Sequence, residues 1–288
     1  MKEHNDVRRI FLLNPDQRLV REAAHAGVQV RSARVDATDE SALRAPLAEA
    51  AEAGLHVNPA RALRVLADQD AVTRLVRMSR LSPGAAEAGP DDPRLTVETL
   101  SVHGMHQAVG ITATAPWGLL HPAPLSDDTA AEVRAVVTAL LDLTGYQYGP
   151  AHTRVALTDR GPVVLGCRAG IGDDPVPQLI GVAGGFDLAA GAVEVLTGRL
   201  VDPVRPHRFA AAVRLGGVWR LSAAELAALP DVRCVAAPGD GRPGHIVVGA
   251  ETAEAAAGRI AELTALVTGD GTGDDGPRPA GSGSGTIR

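Results

Sequence analysis

The sequence predicts a mixed α/β fold, an α/β opening followed by α+β elements, and three observations carry that prediction. The chain opens with a strand–helix–strand pattern. It continues with pairs of alternating apolar strands around turn residues, and closes with short strands and two further helices. At 288 residues with 45% hydrophobic side chains it can bury a sizeable core, enough for one large or two ordinary domains.

Taken in order, "RRIFLLNP" reads as a strand, Asp16 to Ala26 as a helix broken by Gly27, and "VQVRSARVD" as a second strand. Ser41 to Gly54 and Pro59 to Arg80 read as helices, the second amphipathic through Leu63, Val65, Leu66, Val72, Leu75 and Val76. Pro, Gly and Asp make "SPGAAEAGPDDP" (82–93) a linker. Two strands follow, "RLTVETLSV" and "HQAVGITATA", around a turn at His103-Gly104. Ser126 caps a helix that runs to Leu143, with Asp127 and Asp128 in its positive first turn and Gly145 past its end. Residues 149–177 hold a hairpin: apolar residues alternate in "HTRVALT" and run on in "PVVLGC", with Asp159-Arg160-Gly161-Pro162 as the turn. "PQLIGVAGGFDLAAGAVEVLTG" is helical on both sides of Gly184-Gly185. "RFAAAVRL", "GVWRLS" and "GHIVVGA" then read as strands, with helices at Ala223–Ala228 and Thr252–Val267. From Gly269 the chain is Gly, Ser, Asp and Pro with almost nothing to bury, which predicts a disordered tail.

Composition narrows function. A net charge of −6 without any basic cluster argues against nucleic acid or an anionic membrane as the main partner. No stretch approaches the roughly 20 apolar residues of a membrane span, and the apolar run in "MKEHNDVRRIFLL" is too short for a secretory signal, so a cytoplasmic protein is expected. Cys167 and Cys234 fit no metal spacing and are read as small buried residues. Lys2 is the sole lysine, which excludes an internal P-loop or Schiff-base lysine.

From "RLTVETLSVHGMHQAVGIT" through "HPAPLSDD" and "GPAHTRVALTDRGPVV" to "PQLIGVAGGFDL", element order and spacing resemble the catalytic lobe of ATP-grasp enzymes. The likeness is strongest to carboxylate–amine ligases that join amino acids. The piece from "RFAAAVRL" to "GHIVVGAETAEAAAGRI" is similar to their C-terminal module. The resemblance implies a truncated ATP-grasp-like fold: a shortened α/β region and helix over 1–83, a catalytic-type lobe over 91–205, an α+β module over 206–268 and a tail over 269–288.

The family hairpin reads GPxHTE and then GPxxxExNxR, its two Glu and its Asn holding the Mg²⁺ ions on ATP. Aligned without a gap, the first Glu becomes Arg154, the second Gly166, the Asn Arg168 and the Arg Gly170. The family's linker also leads into a small lobe whose lysine and glycine-rich loop hold the phosphates. Here Ala71 stands where a lysine is usual, and only the linker separates Pro83 from "RLTVE". A degenerate protein is expected, with neither nucleotide nor metal as cofactor.

Pairing across the turn at 159–161 sets Arg154 near Gly166 and His152 near Arg168, within a residue of register. Two readings stand side by side: the arginines hold an anionic small molecule by their guanidinium forks, or they pair with Asp173, Asp174 or Glu98 and fill the vacated site. The remaining candidates are His152, as a strand-fixing hydrogen bonder or general base, His121 before Pro122 on an expected loop, as a proton carrier, and Glu98, as a base or an arginine's partner. His103 and His106 flank a turn without a third ligand, and the acids of "GIGDD" (170–174) speak against a phosphate loop. Three functions follow: a repurposed, cofactor-independent acid–base enzyme of small-molecule biosynthesis, a non-catalytic or ligand-binding subunit that partners an intact ligase, and an ATP-dependent ligase. The expected partners are an anionic small molecule and either another protein or a second copy in a homodimer.

Overall fold

The computed structural model describes residues 8–79, 81, 88–202 and 205–269. The expected tail beyond Gly269 and the first half of the expected linker, residues 82–87, lie outside the described residues.

The opening is the expected β-α-β unit. β1 (Arg9–Leu13), α1 (Gln17–His25) and β2 (Gln29–Ala33) follow one another, and the two strands pair in parallel with Ile10 opposite Val30. Asp16 caps α1 by accepting from the backbone N–H of Arg18. α2 (Glu40–Glu52) is capped by Asp39 in the same way. The helix expected over Pro59–Arg80 is two helices, α3 (Ala60–Ala67) and α4 (Gln69–Ser79). Asp68 breaks it: its backbone is extended, and its carboxylate accepts from the N–H groups of Asp70 and Ala71. An Asp side chain that satisfies a new helix's orphan donors competes with continuing the old helix.

After α4 come β3 (Arg94–Val102), β4 (Met105–Ala115), β5 (Gly118–His121), α5 (Asp127–Thr144), β6 (Gly149–Thr158) and β7 (Gly161–Ala169). α6 (Val176–Gly184) and α7 (Leu188–Leu196) are separated by a bend of 100°, with Gly185 left-handed at φ +74°. The rest is β8 (Phe209–Leu215), α8 (Ala223–Ala227), β9 (Val232–Ala236), β10 (Gly244–Ala250) and α9 (Ala253–Thr268). No single described helix is long and apolar enough to cross a membrane.

Among the described residues, all strands after β2 form one antiparallel eight-stranded sheet in the order β7-β6-β3-β4-β5-β8-β10-β9. β5, which sequence patterning missed, is the join: Leu119 pairs with Ala212 across to β8, and strands on both sides of the expected 205/206 boundary share the sheet. Only a glycine allows that approach, since a β-carbon on Gly118 would lie 2.1 Å from the Ala212 carbonyl oxygen. "GVWRLS" is not a strand. Val218 is 97% exposed there while Trp219 packs toward the core, so the segment has no ladder partner. The strand on the other side of β10 is instead β9, a five-residue edge.

The faces bury different helices. Val97, Ile111, Val155 and Val164 pack with Val133, Val137, Leu140 and Leu141 of α5, while Ala211, Ile246 and Val248 pack with Ile260 and Leu263 of α9. On the opposite face, Leu100, Leu119 and Val247 pack with Leu179 of α6, Val193 of α7, and Ile10 and Leu19 of the N-terminal unit. Leu140 is fully buried, so truncating it to Ala costs about 2–5 kcal/mol.

Candidate active site

Strand alternation delivers the site. β6 pairs with β7 so that His152 faces Arg168 and Arg154 faces Gly166, the register expected from the turn. β3 adds Glu98 opposite His152 and Thr96 opposite Arg154. Cross-strand partners share a face, so Glu98, His152, Arg154 and Arg168 all project from the same side of the sheet.

Glu98 and His152 are hydrogen-bonded to each other. Glu98 is 1% exposed and its Oε1 accepts a short hydrogen bond from His152 Nδ1. Its Oε2 accepts from the Gly172 backbone N–H at 3.0 Å. An ionised carboxylate can only accept, so the proton of a neutral His152 sits on Nδ1 and the lone pair on Nε2. Nε2 takes no hydrogen bond from the described residues, and the ring keeps 13% of its surface in solvent. Gly172 closes over the pair: a β-carbon there would lie 2.5 Å from Glu98 Oε1 and 3.0 Å from His152 Nδ1.

The two arginines have separate protein partners. Arg154 is exposed and donates from Nη2 to Gln69 Oε1 at 3.0 Å. Gln69, the first residue of α4, also donates to the Leu165 carbonyl and lies over Gly166, where a β-carbon would be 2.2 Å from Gln69 Oε1. Arg168 pairs with Asp173 at 3.1 Å, with the side chains 41% and 84% exposed. Exposed pairs of this kind are worth about 0–1 kcal/mol, so Asp173 is a weak competitor for the guanidinium. Arg168 also lines a cavity of about 310 Å³ together with Asn14, Asp16, His56, Tyr148 and Leu196. A second cleft, of about 1000 Å³, is lined by Asp16, Arg18, Asp173, Asp174, Arg214 and His245.

His121 is placed differently from the sequence expectation. It ends β5 rather than sitting on a loop, because it continues the sheet opposite Ala210. It is 1% exposed, and Nδ1 lies 3.1 Å from both Thr112 Oγ1 and the Ile111 carbonyl. Burial pushes its pKa down to about 4, with the Ile111 carbonyl opposing. The ring is therefore neutral near pH 7 and closed to solvent. His103 and His106 diverge, His103 Nδ1 to Tyr148 Oη at 2.6 Å and His106 Nδ1 to Ser101 Oγ at 2.8 Å. Cys167 is buried, and burial pushes its thiol up to about 12. No group of three His, Cys, Asp or Glu able to hold a metal occurs among the described residues.

Neither a family model nor a curated protein sequence matches the chain. Solved structures do. An L-amino acid ligase from Bacillus licheniformis superposes with a TM-score of 0.69 at 16% identity, covering 90% of this chain and 98% of the ligase. The N5-carboxyaminoimidazole ribonucleotide synthetase from Thermotoga maritima gives 0.71 at 11%, covering 91% and 99%. The glycinamide-RNase-transformylase T from Mycobacterium tuberculosis gives 0.69 at 15%, covering 90% and 100%. The chain has an ATP-grasp-like fold.

An ATP-grasp-like fold implies magnesium and a nucleotide, and the residues at the metal-ligand positions implied by the resemblance do not fit the metal. Mg²⁺ is held through hard oxygen donors, usually one or two carboxylates. The three positions carry the guanidinium of Arg154, the bare Cα of Gly166 beneath Gln69, and the guanidinium of Arg168. A cation placed there meets two positive charges and an occupied volume. α4 ends at Ser79 and β3 begins at Arg94, leaving residues 80–93 to join them.

Three residues of this site escaped the sequence reading. Gly172 lies beside the acids Asp173 and Asp174, Gln69 two residues before Ala71, and Arg18 in the first helix. The signal available for Gly172 was its place between a strand and a helix, where glycine marks close backbone approach. No local pattern marks the other two.

Proposed function

We propose that this chain is an enzyme of small-molecule biosynthesis that works without Mg-ATP, moving a proton on an anionic substrate through Glu98 and His152. The observation that supports it best is the Glu98 carboxylate, buried and fixed at both oxygens, with one of them on His152 Nδ1. Such a carboxylate locks the ring's orientation and tautomer, leaving Nε2 as the base, and stabilises the imidazolium that forms when Nε2 takes a proton. The same Nε2–H then returns the proton to substrate or solvent. Arg168, on the neighbouring strand position and bordering the cavity, binds the substrate's anionic group by displacing Asp173, with Arg154 adding positive charge two residues along β6. The biosynthetic setting is taken from the ligases and synthetases that share the fold.

The test is hydrogen–deuterium exchange at carbon in a panel of small carboxylates and phosphate esters in D2O, followed by NMR without ATP or magnesium. The wild type is expected to exchange at least one panel member, and His152→Gln and Glu98→Gln to lose on the order of 10²-fold or more. Arg168→Ala is expected to raise the substrate concentration needed. Turnover seen only with Mg-ATP would refute the proposal.

A further inference from the structure

We infer that Arg18 is a positioning residue for the Glu98–His152 pair, acting through Gly172 from a helix remote in sequence. The inference rests on the acid–base reading of that pair. Arg18 Nη1 donates to the Gly172 carbonyl at 3.0 Å and to Asp174 Oδ1 at 2.9 Å. Gly172 in turn donates its N–H to Glu98 Oε2. One residue thus hands its carbonyl to Arg18 and its N–H to the carboxylate that orients His152.

Arg18 is itself held rigidly. Its Nε and Nη2 donate to the two Asp16 oxygens at 3.2 and 2.7 Å, and the side chain is 22% exposed. A guanidinium held bidentately along its Nε–Nη2 edge has little freedom left, so it fixes what Nη1 contacts. Arg214 contributes from the far side, donating from Nε and Nη2 to the Asp174 carbonyl at 2.9 and 2.6 Å. The segment from Gly172 to Asp174 is therefore clamped between the N-terminal unit and β8. Gly172 carries no side chain to anchor it and packs against Glu98 and His152 with no slack, so a shift of its backbone transfers to that pair.

A merely structural Arg18 would affect stability alone, whereas a positioning Arg18 sets the tautomer of His152. The experiment is NMR of the full-length wild type and Arg18→Met at pH 7.5, reading the ¹⁵N shifts of the His152 ring and the hydrogen-exchange protection of the Gly172 amide. The expected result is a dominant Nδ1–H tautomer in the wild type. In Arg18→Met, Gly172 protection should drop at least tenfold and the single tautomer should be lost, with guanidinium or methylguanidinium in the buffer restoring both in part. Should Arg18→Met fail to fold, Asp16→Asn serves instead: it keeps an N-cap oxygen but loosens the fork, and a smaller change in the same two readouts is expected. Unchanged Gly172 protection and His152 tautomer in the folded variant would overturn the inference. These readouts do not depend on turnover, so absent carbon exchange in the wild type defeats the acid–base reading separately.

Discussion

Gly172 and Glu98 are in a contact that admits no side chain: the Gly172 N–H meets Oε2 at 3.0 Å, and a β-carbon would come within 2.5 Å of Oε1. The carboxylate is buried and shared with His152, so it cannot swing away without leaving a polar group unpaired.

Gly172→Ala should therefore destabilise the protein by about 1–3 kcal/mol and abolish the proposed proton transfer, because overpacking displaces Glu98 from His152. Gly258→Ala is the contrasting variant. Gly258 lies inside α9 with nothing within 4 Å of an added β-carbon, so the change should stabilise by up to about 1 kcal/mol. Chemical denaturation of the two variants gives the comparison. Equal effects of the same sign would remove the argument from Gly172.

His121 predicts an acid-sensitive step in stability. Its folded pKa of about 4 lies below the ordinary 6.5, so the unfolded chain binds the extra proton first. The stabilisation is complete above about pH 6.5 and is lost as pH falls toward about 4, on the order of 3 kcal/mol in all. His121→Gln should flatten that part of the profile. Denaturant midpoints between pH 4 and 7.5 for wild type and variant measure it, and parallel profiles would show that His121 does not titrate this way.

Gln69 and Gly166 predict a strong coupling. Gly166→Glu places a side chain where the carboxamide sits and should cost about 1–3 kcal/mol. In a Gln69→Ala background the same change should cost clearly less, a double-mutant coupling of about 1 kcal/mol or more. Additive stabilities would mean that Gln69 does not fill the space.

The elements legible in the sequence are those whose cause is local. Ser126, Asp127 and Gly145 announced α5, and the turn at 159–161 set the pairing of His152 with Arg168. The break at Asp68 is not legible in the sequence, because a helix-period apolar pattern continues through it while its carboxylate restarts the helix. β5 is four residues long, too short for alternation to show, and exists because β4 and β8 flank it. In the site, the strand positions of Glu98, His152, Arg154 and Arg168 were readable. Their partners were not, because Gln69 arrives from α4 and Gly172 from the loop after β7. Those contacts are decided by tertiary packing, which neither period nor propensity encodes.

The most direct test of the central claim is isothermal titration of the full-length chain with ATP in millimolar Mg²⁺. Arg154 and Arg168 take the positions that the sequence resemblance implies for metal ligands, where they pair with Gln69 and Asp173, and Gln69 fills the space over Gly166. The predicted result is no heat of binding, and no thermal shift at saturating nucleotide. Saturable binding tighter than about 100 μM, roughly 5.5 kcal/mol, would contradict the account and return the chain to nucleotide-dependent chemistry.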